Sequence, residues 1–311
     1  MRVLFMGTPD FAVTCLERLI SDGHNVAAVV SQADKPKGRG HKTVPTPVKE
    51  CAMKNGIEVF QPETLKDFSF KEQLEKIAPE VIVVVAYGRI LPEYILNYPK
   101  YGCINIHGSL LPKYRGAAPV QQAIINGERK TGVTAMYMEK GLDTGDMILK
   151  SETEIGEYEN SEELFKRLSI MGAETLSETL RLIENGKVKA EKQDDSKASY
   201  ASMLTKETGE IDWNKSQDEI INLIRGTYIW PVAHTKYKGE NLKIYSAVKG
   251  GKTEVRRCGT VVSADKCGMT VVCGGGKTVL IKEAQFFGGK RMSIESYING
   301  HNIDVNTILG E

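Results

Sequence analysis

No apolar run in this 311-residue chain is long enough to span a membrane. The longest, Val81 to Ala86, has the length of a buried strand. The amino terminus, Met1-Arg2-Val3-Leu4-Phe5-Met6-Gly7, lacks the extended apolar region and small-residue cleavage site of a secretion signal. A cytoplasmic protein with no membrane partner is expected. Cys15, Cys51, Cys103, Cys258, Cys267 and Cys273 form no C-x-x-C pair and have no matching histidine spacing. Free thiols are expected rather than a zinc site, and no metal. After the first strand there is one glycine, Gly7, where a dinucleotide fingerprint needs G-x-G-x-x-G. NAD is therefore not expected, and a nicotinamide oxidoreductase is disfavoured. There is no internal repeat.

What is present is an ordinary globular composition, and the length suggests about two domains. The net charge of +1 hides an asymmetry. From Arg225 to Arg291 there are thirteen Lys/Arg against four Asp/Glu, so the rest of the chain carries −8. That region fits either a polyanion or a solvated basic face.

Strand and helix signals alternate through the first half, the pattern of an α/β domain. Arg2 to Met6 and Val26 to Val30 read as strands around a helix, with Thr8 as its cap and Pro9 at its first position. Thr46-Pro47 opens another helix. Val81 to Ala86 and Gly102 to Ile106 read as central strands. Gly132 to Met138 and Met147 to Glu154 are further strands, and Ser161 to Glu184 is a long amphipathic helix. Lys187 to Thr205 is polar and reads as a linker. Beyond it, one helix (Ser216 to Arg225) and several short glycine-broken strands suggest a small barrel.

Asn105 and His107 stand two residues apart at the end of an apolar run, so a strand there puts both on one face. The Gly- and Pro-rich segment after them leaves that face open. Asp143, in a second Gly-rich turn, can meet the imidazole in space. Amide, imidazole and carboxylate suit acyl transfer; a structural histidine at a strand end is the plain alternative.

Five segments resemble the folate-dependent formyltransferases, in that family's order and over nearly the whole chain. They are Met6-Gly7-Thr8-Pro9-Asp10-Phe11-Ala12, Ala86-Tyr87-Gly88-Arg89-Ile90-Leu91-Pro92, Asn105-Ile106-His107-Gly108-Ser109-Leu110-Leu111-Pro112, Arg115-Gly116-Ala117-Ala118-Pro119 and Leu142-Asp143-Thr144-Gly145-Asp146. The resemblance implies a Rossmann-like domain with a parallel-rich sheet over 1–188, a linker over 189–206 and an OB-like, tRNA-binding β-barrel over 207–311. It implies an enzyme that moves formyl from 10-formyltetrahydrofolate to the α-amino group of methionyl initiator tRNA; a monomer is expected. Asn105, His107 and Asp143 fall on the catalytic positions. Ser109, Leu110, Leu111 and Pro112 fall on the folate segment, with Tyr87, Gly88, Arg89, Ile90 and Leu91 lining the pterin side of a cleft.

In that chemistry a neutral amine attacks the formyl carbon. A free α-amino group titrates near pH ~7.7–8.0, and esterification of the adjacent carboxyl lowers that further, so a strong base is not the first need. The first need is donors for the oxyanion, expected from Asn105 and a protonated His107; losing one such donor costs ~10²–10³ in rate. Asp143 either orients His107 or takes the amine's proton. None of the cysteines needs to react.

Asp34 to Lys42 is basic and glycine-containing, and is expected to be neither helix nor strand. The resemblance sets it against the tRNA acceptor end, with Arg39 the first candidate contact, Lys42 the second, and Lys35 and Lys37 beside them. Trp230 is expected in the barrel core, with base stacking as the alternative. Intact Asn105, His107 and Asp143 speak against a non-catalytic RNA-binding module of this fold. The second domain speaks against a glycinamide ribonucleotide substrate. An amino-sugar nucleotide remains the alternative amine.

Overall fold

The computed structural model describes residues 1–37, 42–255 and 257–311. The chain divides into two compact units. Unit 1 comprises Met1–Pro119, Thr131–Thr153 and Phe165–Ala201; unit 2 comprises Val120–Lys130, Glu154–Leu164 and Ser202–Glu311. Residues 189–201 thus group with unit 1 instead of forming a free linker, and two short segments of the first half group with unit 2. The cause within unit 2 is direct contact. The Arg225 guanidinium donates to the carbonyls of Gly156 (2.8 Å) and Glu159 (3.1 Å), and Gly226 has no room for a Cβ beside Ile125 and Gln121.

Among the described residues, eleven strands begin in the first 201 positions: β1 (Arg2–Gly7), β2 (Asn25–Val30), β3 (Lys35–Lys37), β4 (Lys42–Val44), β5 (Val59–Phe60), β6 (Val81–Val85), β7 (Cys103–His107), β8 (Arg115–Gly116), β9 (Lys130–Tyr137), β10 (Met147–Glu154) and β11 (Tyr200–Ala201). The helices are α1 (Asp10–Ser21), α2 (Pro47–Lys54), α3 (Lys71–Ile77), α4 (Glu93–Leu96), α5 (Pro119–Ile125) and α6 (Ser161–Glu184). Among the described residues the main sheet runs β10-β9-β7-β6-β1-β2-β5. Pairings from β7 through β5 are parallel, while β9 runs antiparallel to β7.

Alternation along the central strands divides two cores. Val3, Phe5, Val81, Val83, Ile104 and Ile106 meet the apolar faces of α1 and α6 on one side. Leu4, Met6, Ile82, Val84 and Cys103 meet α3 and α4 on the other. A sheet covered on both faces needs continuous apolar strands, which is what Val81–Val85 supplies. Thr46 caps α2 by accepting from the Lys49 amide at 3.2 Å. The expected Thr8 cap does not form: Pro9 takes the cap position, and the Thr8 hydroxyl donates to the Tyr87 carbonyl at 3.2 Å. Proline at the cap has no side-chain acceptor to offer, and Thr8 is drawn to the neighbouring strand end. No helix of the described residues is long and apolar enough to cross a membrane.

Unit 2 holds α7 (Gln217–Gly226) and α8 (Ile294–Ile298) with β12 (Ala233–Tyr237), β13 (Glu240–Lys252), β14 (Val261–Asp265), β15 (Gly268–Cys273), β16 (Lys277–Gln285) and β17 (Met292–Ser293). A reciprocal Ser216–Glu219 capping box starts α7. The strands form an antiparallel sheet in the order β12-β13-β16-β15-β14. The carboxyl-terminal segment joins its two edges. Leu309 N–H donates to Gly259 O at 2.8 Å on the β14 side, and Gly310 N–H donates to Lys236 O at 2.9 Å on β12. That seam ties the two edges of the sheet together, as in an OB-like barrel. Trp213, not Trp230, sits in this core: Trp213 is 5 % exposed and donates to Thr235 Oγ1, whereas Trp230 is 48 % exposed. The expectation of a core Trp230 is therefore wrong. The cis bond to Pro231 follows it.

Candidate active site

Parallel β1, β6 and β7 end side by side, which places Thr8, Ala86–Tyr87 and His107 at one edge of the sheet, where ligands of open α/β sheets bind. On β7, Ile104 and Ile106 point into the core shared with α1 and α6, leaving Asn105 and His107 on the other face. Both are nearly buried. The turn after β7 is stitched to β9 through Thr134, whose hydroxyl donates to Ser109 O (2.7 Å) and accepts from Leu111 N–H (3.1 Å).

The structure brings Asn105, His107 and Asp143 together. His107 Nε2 lies 2.8 Å from the Tyr114 carbonyl. A carbonyl only accepts, so Nε2 carries a hydrogen. His107 Nδ1 faces Asp143 Oδ2 at 3.6 Å. That oxygen accepts the Gly116 N–H at 2.8 Å, and the other carboxylate oxygen lies 3.5 Å from Asn105 Nδ2. Since Nε2 is committed to Tyr114, only the Nδ1 side of the ring faces the space shared with Asp143. Burial pushes the Cys103 thiol up to about 12, so it stays protonated and unreactive at neutral pH.

Four participants were not assigned from the sequence: Tyr114, Arg115, Gly116 and Gln193. Gly116, at φ +116°, sits against Ala201, whose carbonyl would be 2.8 Å from an added Cβ. The Arg115 guanidinium is 2 % exposed and donates to Gln193 Oε1 and Asp195 Oδ1. Burial opposes its charge, but hydrogen bonds to Asp195 and Tyr200 outweigh that and hold it above its ordinary value. Arg115 and Gly116 stood in a motif; Gln193 stood in a polar stretch with no local pattern.

The residues expected to line the pterin side divide. Tyr87 and Leu91 are buried side chains of the core beneath the site and do not line an open face. Gly88 and Ile90 are exposed, Ile90 at 77 %. Arg89 is turned away, donating to the carbonyls of Pro62 and Glu63. In the Ser109–Pro112 segment, Leu111 is buried, Leu110 and Pro112 are half-buried, and the Ser109 hydroxyl donates to Lys113 O at 2.6 Å. Two shallow concavities, of about 260 and 300 Å³, gather around Phe60 at the β5 edge; Asn105, His107 and Asp143 line neither. The pterin-sized cleft expected beside the three residues is not one of these.

The basic segment also differs from expectation. Lys35–Lys37 and Lys42–Val44 pair as a short antiparallel ladder, with Lys37 opposite Lys42. Pro36, which has no N–H to donate, stands opposite Thr43 in this ladder. Arg39 lies outside the described residues. The base of this hairpin is fixed by Asp34, which accepts from Lys49 Nζ and Gln61 Nε2, each at 2.7 Å. Those two bonds, Lys49 first, hold the Asp34 carboxyl below the usual carboxylate range.

Comparison with known proteins agrees with this architecture. The family profile described as "Formyl transferase" matches residues 1–180, and "Formyl transferase, C-terminal domain" matches residues 203–302. A protein named methionyl-tRNA formyltransferase from Acetivibrio thermocellus is 49 % identical, and one of the same name from Alkaliphilus oremlandii is 50 % identical; each alignment covers 100 % of both chains. Among solved structures, the N-formyltransferase of Helicobacter canadensis, crystallised with folinic acid and dTDP-3-aminofucose, is similar at TM-score 0.69. It shares 20 % identity over 90 % of this chain and 98 % of that one, which speaks to the fold alone. From its two matching profiles and its full-length relatives, the chain belongs to the formyl transferase family.

Proposed function

We propose that this chain transfers the formyl group of 10-formyltetrahydrofolate to the α-amino group of methionyl initiator tRNA. The observation that carries this reading is the meeting of Asn105, His107 and Asp143 at the end of β7, in a chain about half identical, over its whole length, to relatives of that name. The amine nitrogen attacks the formyl carbon, the formyl oxygen becomes an oxyanion, and the bond from formyl carbon to folate nitrogen breaks. The amine loses a proton and the folate nitrogen gains one.

Asn105 donates its side-chain N–H to the oxyanion. His107 acts through Nδ1, because Tyr114 occupies Nε2. Asp143 Oδ2 already accepts from Gly116 and faces His107 Nδ1, so its main role is to orient that side of the ring. Folate rests along Gly88 to Ile90 and Ser109 to Pro112, meeting mostly backbone, Ile90 and Leu110, with the Tyr87 and Leu91 side chains supporting from below. Lys35, Lys37, Arg39 and Lys42 meet the tRNA acceptor end, and the basic strands of unit 2 meet its phosphates. The enzyme acts as a monomer in the cytoplasm.

The sugar-directed formyltransferases of this fold offer a second amine class, but the solved ones are 19–20 % identical to this chain. The deciding assay supplies 10-formyltetrahydrofolate with methionyl initiator tRNA, free methionine or an amino-sugar nucleotide. Formyl transfer to the charged tRNA alone is expected. Transfer to the sugar nucleotide instead would refute the reading.

A further inference from the structure

We propose that Gln193 is a positioning residue for the transfer reaction, clamping the backbone that presents the Asp143 carboxylate to His107. This deepens the role given above to Asp143 and rests on that reading. Gln193 lies 50 residues beyond Asp143 and 78 beyond Arg115, in a stretch without local pattern. Yet it is 6 % exposed, and every polar atom of its carboxamide is used.

The orientation of that carboxamide follows from its partners. Nε2 donates to the carbonyls of Asp143 (2.7 Å) and Gly145 (2.8 Å). Oε1 accepts from Arg115 Nε (3.0 Å) and Nη2 (2.8 Å). Carbonyls require donors and a guanidinium requires an acceptor, so a flipped amide would lose all four contacts. Arg115 Nη2 also reaches Asp195 Oδ1 at 2.7 Å, which fixes the far side of the guanidinium.

The clamp acts where the loop needs it. Asp143 has φ +53°, a left-handed conformation that costs free energy for a residue with a Cβ. Its carbonyl is held by Gln193 and its carboxylate by Gly116 N–H at 2.8 Å. Two neighbours in sequence therefore grip the two ends of this residue: Arg115 through Gln193, and Gly116 directly. The residue before them, Tyr114, holds His107 Nε2. Residues 114–116 thus set the imidazole and the carboxylate from one short strand. That strand is in turn paired to Tyr200–Ala201, eight residues past Gln193 at its far end.

Gln193 touches no reacting atom in this arrangement, so its removal changes the geometry of catalysis and not substrate contacts. The test compares Gln193→Met, which keeps the shape without hydrogen bonds, and Gln193→Glu, which keeps the pairing to Arg115 but turns an acceptor toward two carbonyls. A displacement of about 1 Å at a reacting group costs on the order of 10²-fold in rate. A fall of kcat by about 10- to 100-fold is expected for folded Gln193→Met, with KM for folate and for tRNA changed less than about twofold. The larger loss is expected for Gln193→Glu. Each is then combined with Asp143→Asn. If Gln193 works through Asp143, the double variants are little slower than Asp143→Asn alone. Unchanged kcat in Gln193→Met, or losses that multiply in full, would overturn the proposal. Full activity in Asp143→Asn by itself would instead overturn the role given to Asp143. Should Gln193→Glu not fold, Gln193→Met decides the matter.

Discussion

Two loops of unit 1 bear charged candidates, and they are held in opposite ways. The loop at 139–146 is gripped from outside its own sequence: Gln193 takes two of its carbonyls, and Gly116 takes the Asp143 carboxylate. Gly145 there lies so close to the Tyr137 carbonyl that a side chain would collide with it. The β3–β4 hairpin is held at its base, where Asp34, Lys49 and Gln61 share hydrogen bonds, and then by its own short ladder. The first arrangement fixes one carboxylate against one imidazole. On the reading proposed above, the second would offer charge to a polyanion, a task that needs reach more than fixed geometry.

The largest effect that would test this contrast is Asn105→Ala, expected to lower kcat by about 10²–10³-fold with little change in KM for tRNA, as single-turnover and steady-state rates would measure. A loss confined to KM would mean that Asn105 serves binding and that the clamped loop frames no reaction.

Gly116→Ala comes next. Its Cβ would press on the Ala201 carbonyl at 2.8 Å, and its φ of +116° is disallowed for alanine. A destabilisation of about 1–3 kcal/mol is expected in thermal or denaturant melts. Unchanged stability would show that the β8–β11 pairing yields easily and that the clamp is looser than described.

Arg39→Ala should leave folate use and the kcat at saturating tRNA unchanged, raise KM for tRNA several-fold, and reduce the slope of log affinity against log salt by about 1. Equal weakening toward folate would make the hairpin part of the positional machinery and erase the distinction between the loops.

The smallest effect belongs to Asp34→Ala at the hairpin base. The folded Asp34 carboxyl is held below its ordinary value, chiefly by Lys49, so its contribution to stability is present above the unfolded value of about 3.9 and is lost as pH falls through the lowered one. The variant should therefore melt lower than the parent by the same small margin at pH 5 and pH 8, with the margin closing only in strong acid. A margin that shrinks between pH 8 and pH 6 would point to a different group.

Much of this was readable from local pattern. The apolar Val81–Val85 run announced a covered strand, and two-residue spacing placed Asn105 and His107 on one face. Thr46-Pro47 and Ser216 announced helix starts that form as expected. Other parts were misread. Thr8 lost its cap role to a hydrogen bond with Tyr87, Tyr87 turned inward beneath the site, Trp230 stayed half exposed, and residues 189–201 joined unit 1. Thr8, Tyr87 and residues 189–201 each met partners distant in sequence, and Trp213 took the core place expected of Trp230.

The sequence by itself determined which faces are apolar, where the strands and helices begin, and which amide, imidazole and carboxylate are available, because side-chain periodicity and capping act over a few residues. Only the tertiary structure decided that His107 is left with Nδ1, that Asp143 adopts a left-handed backbone, and that Gln193 holds it there. Those outcomes depend on hydrogen bonds between segments tens of residues apart, whose direction and length no periodicity encodes.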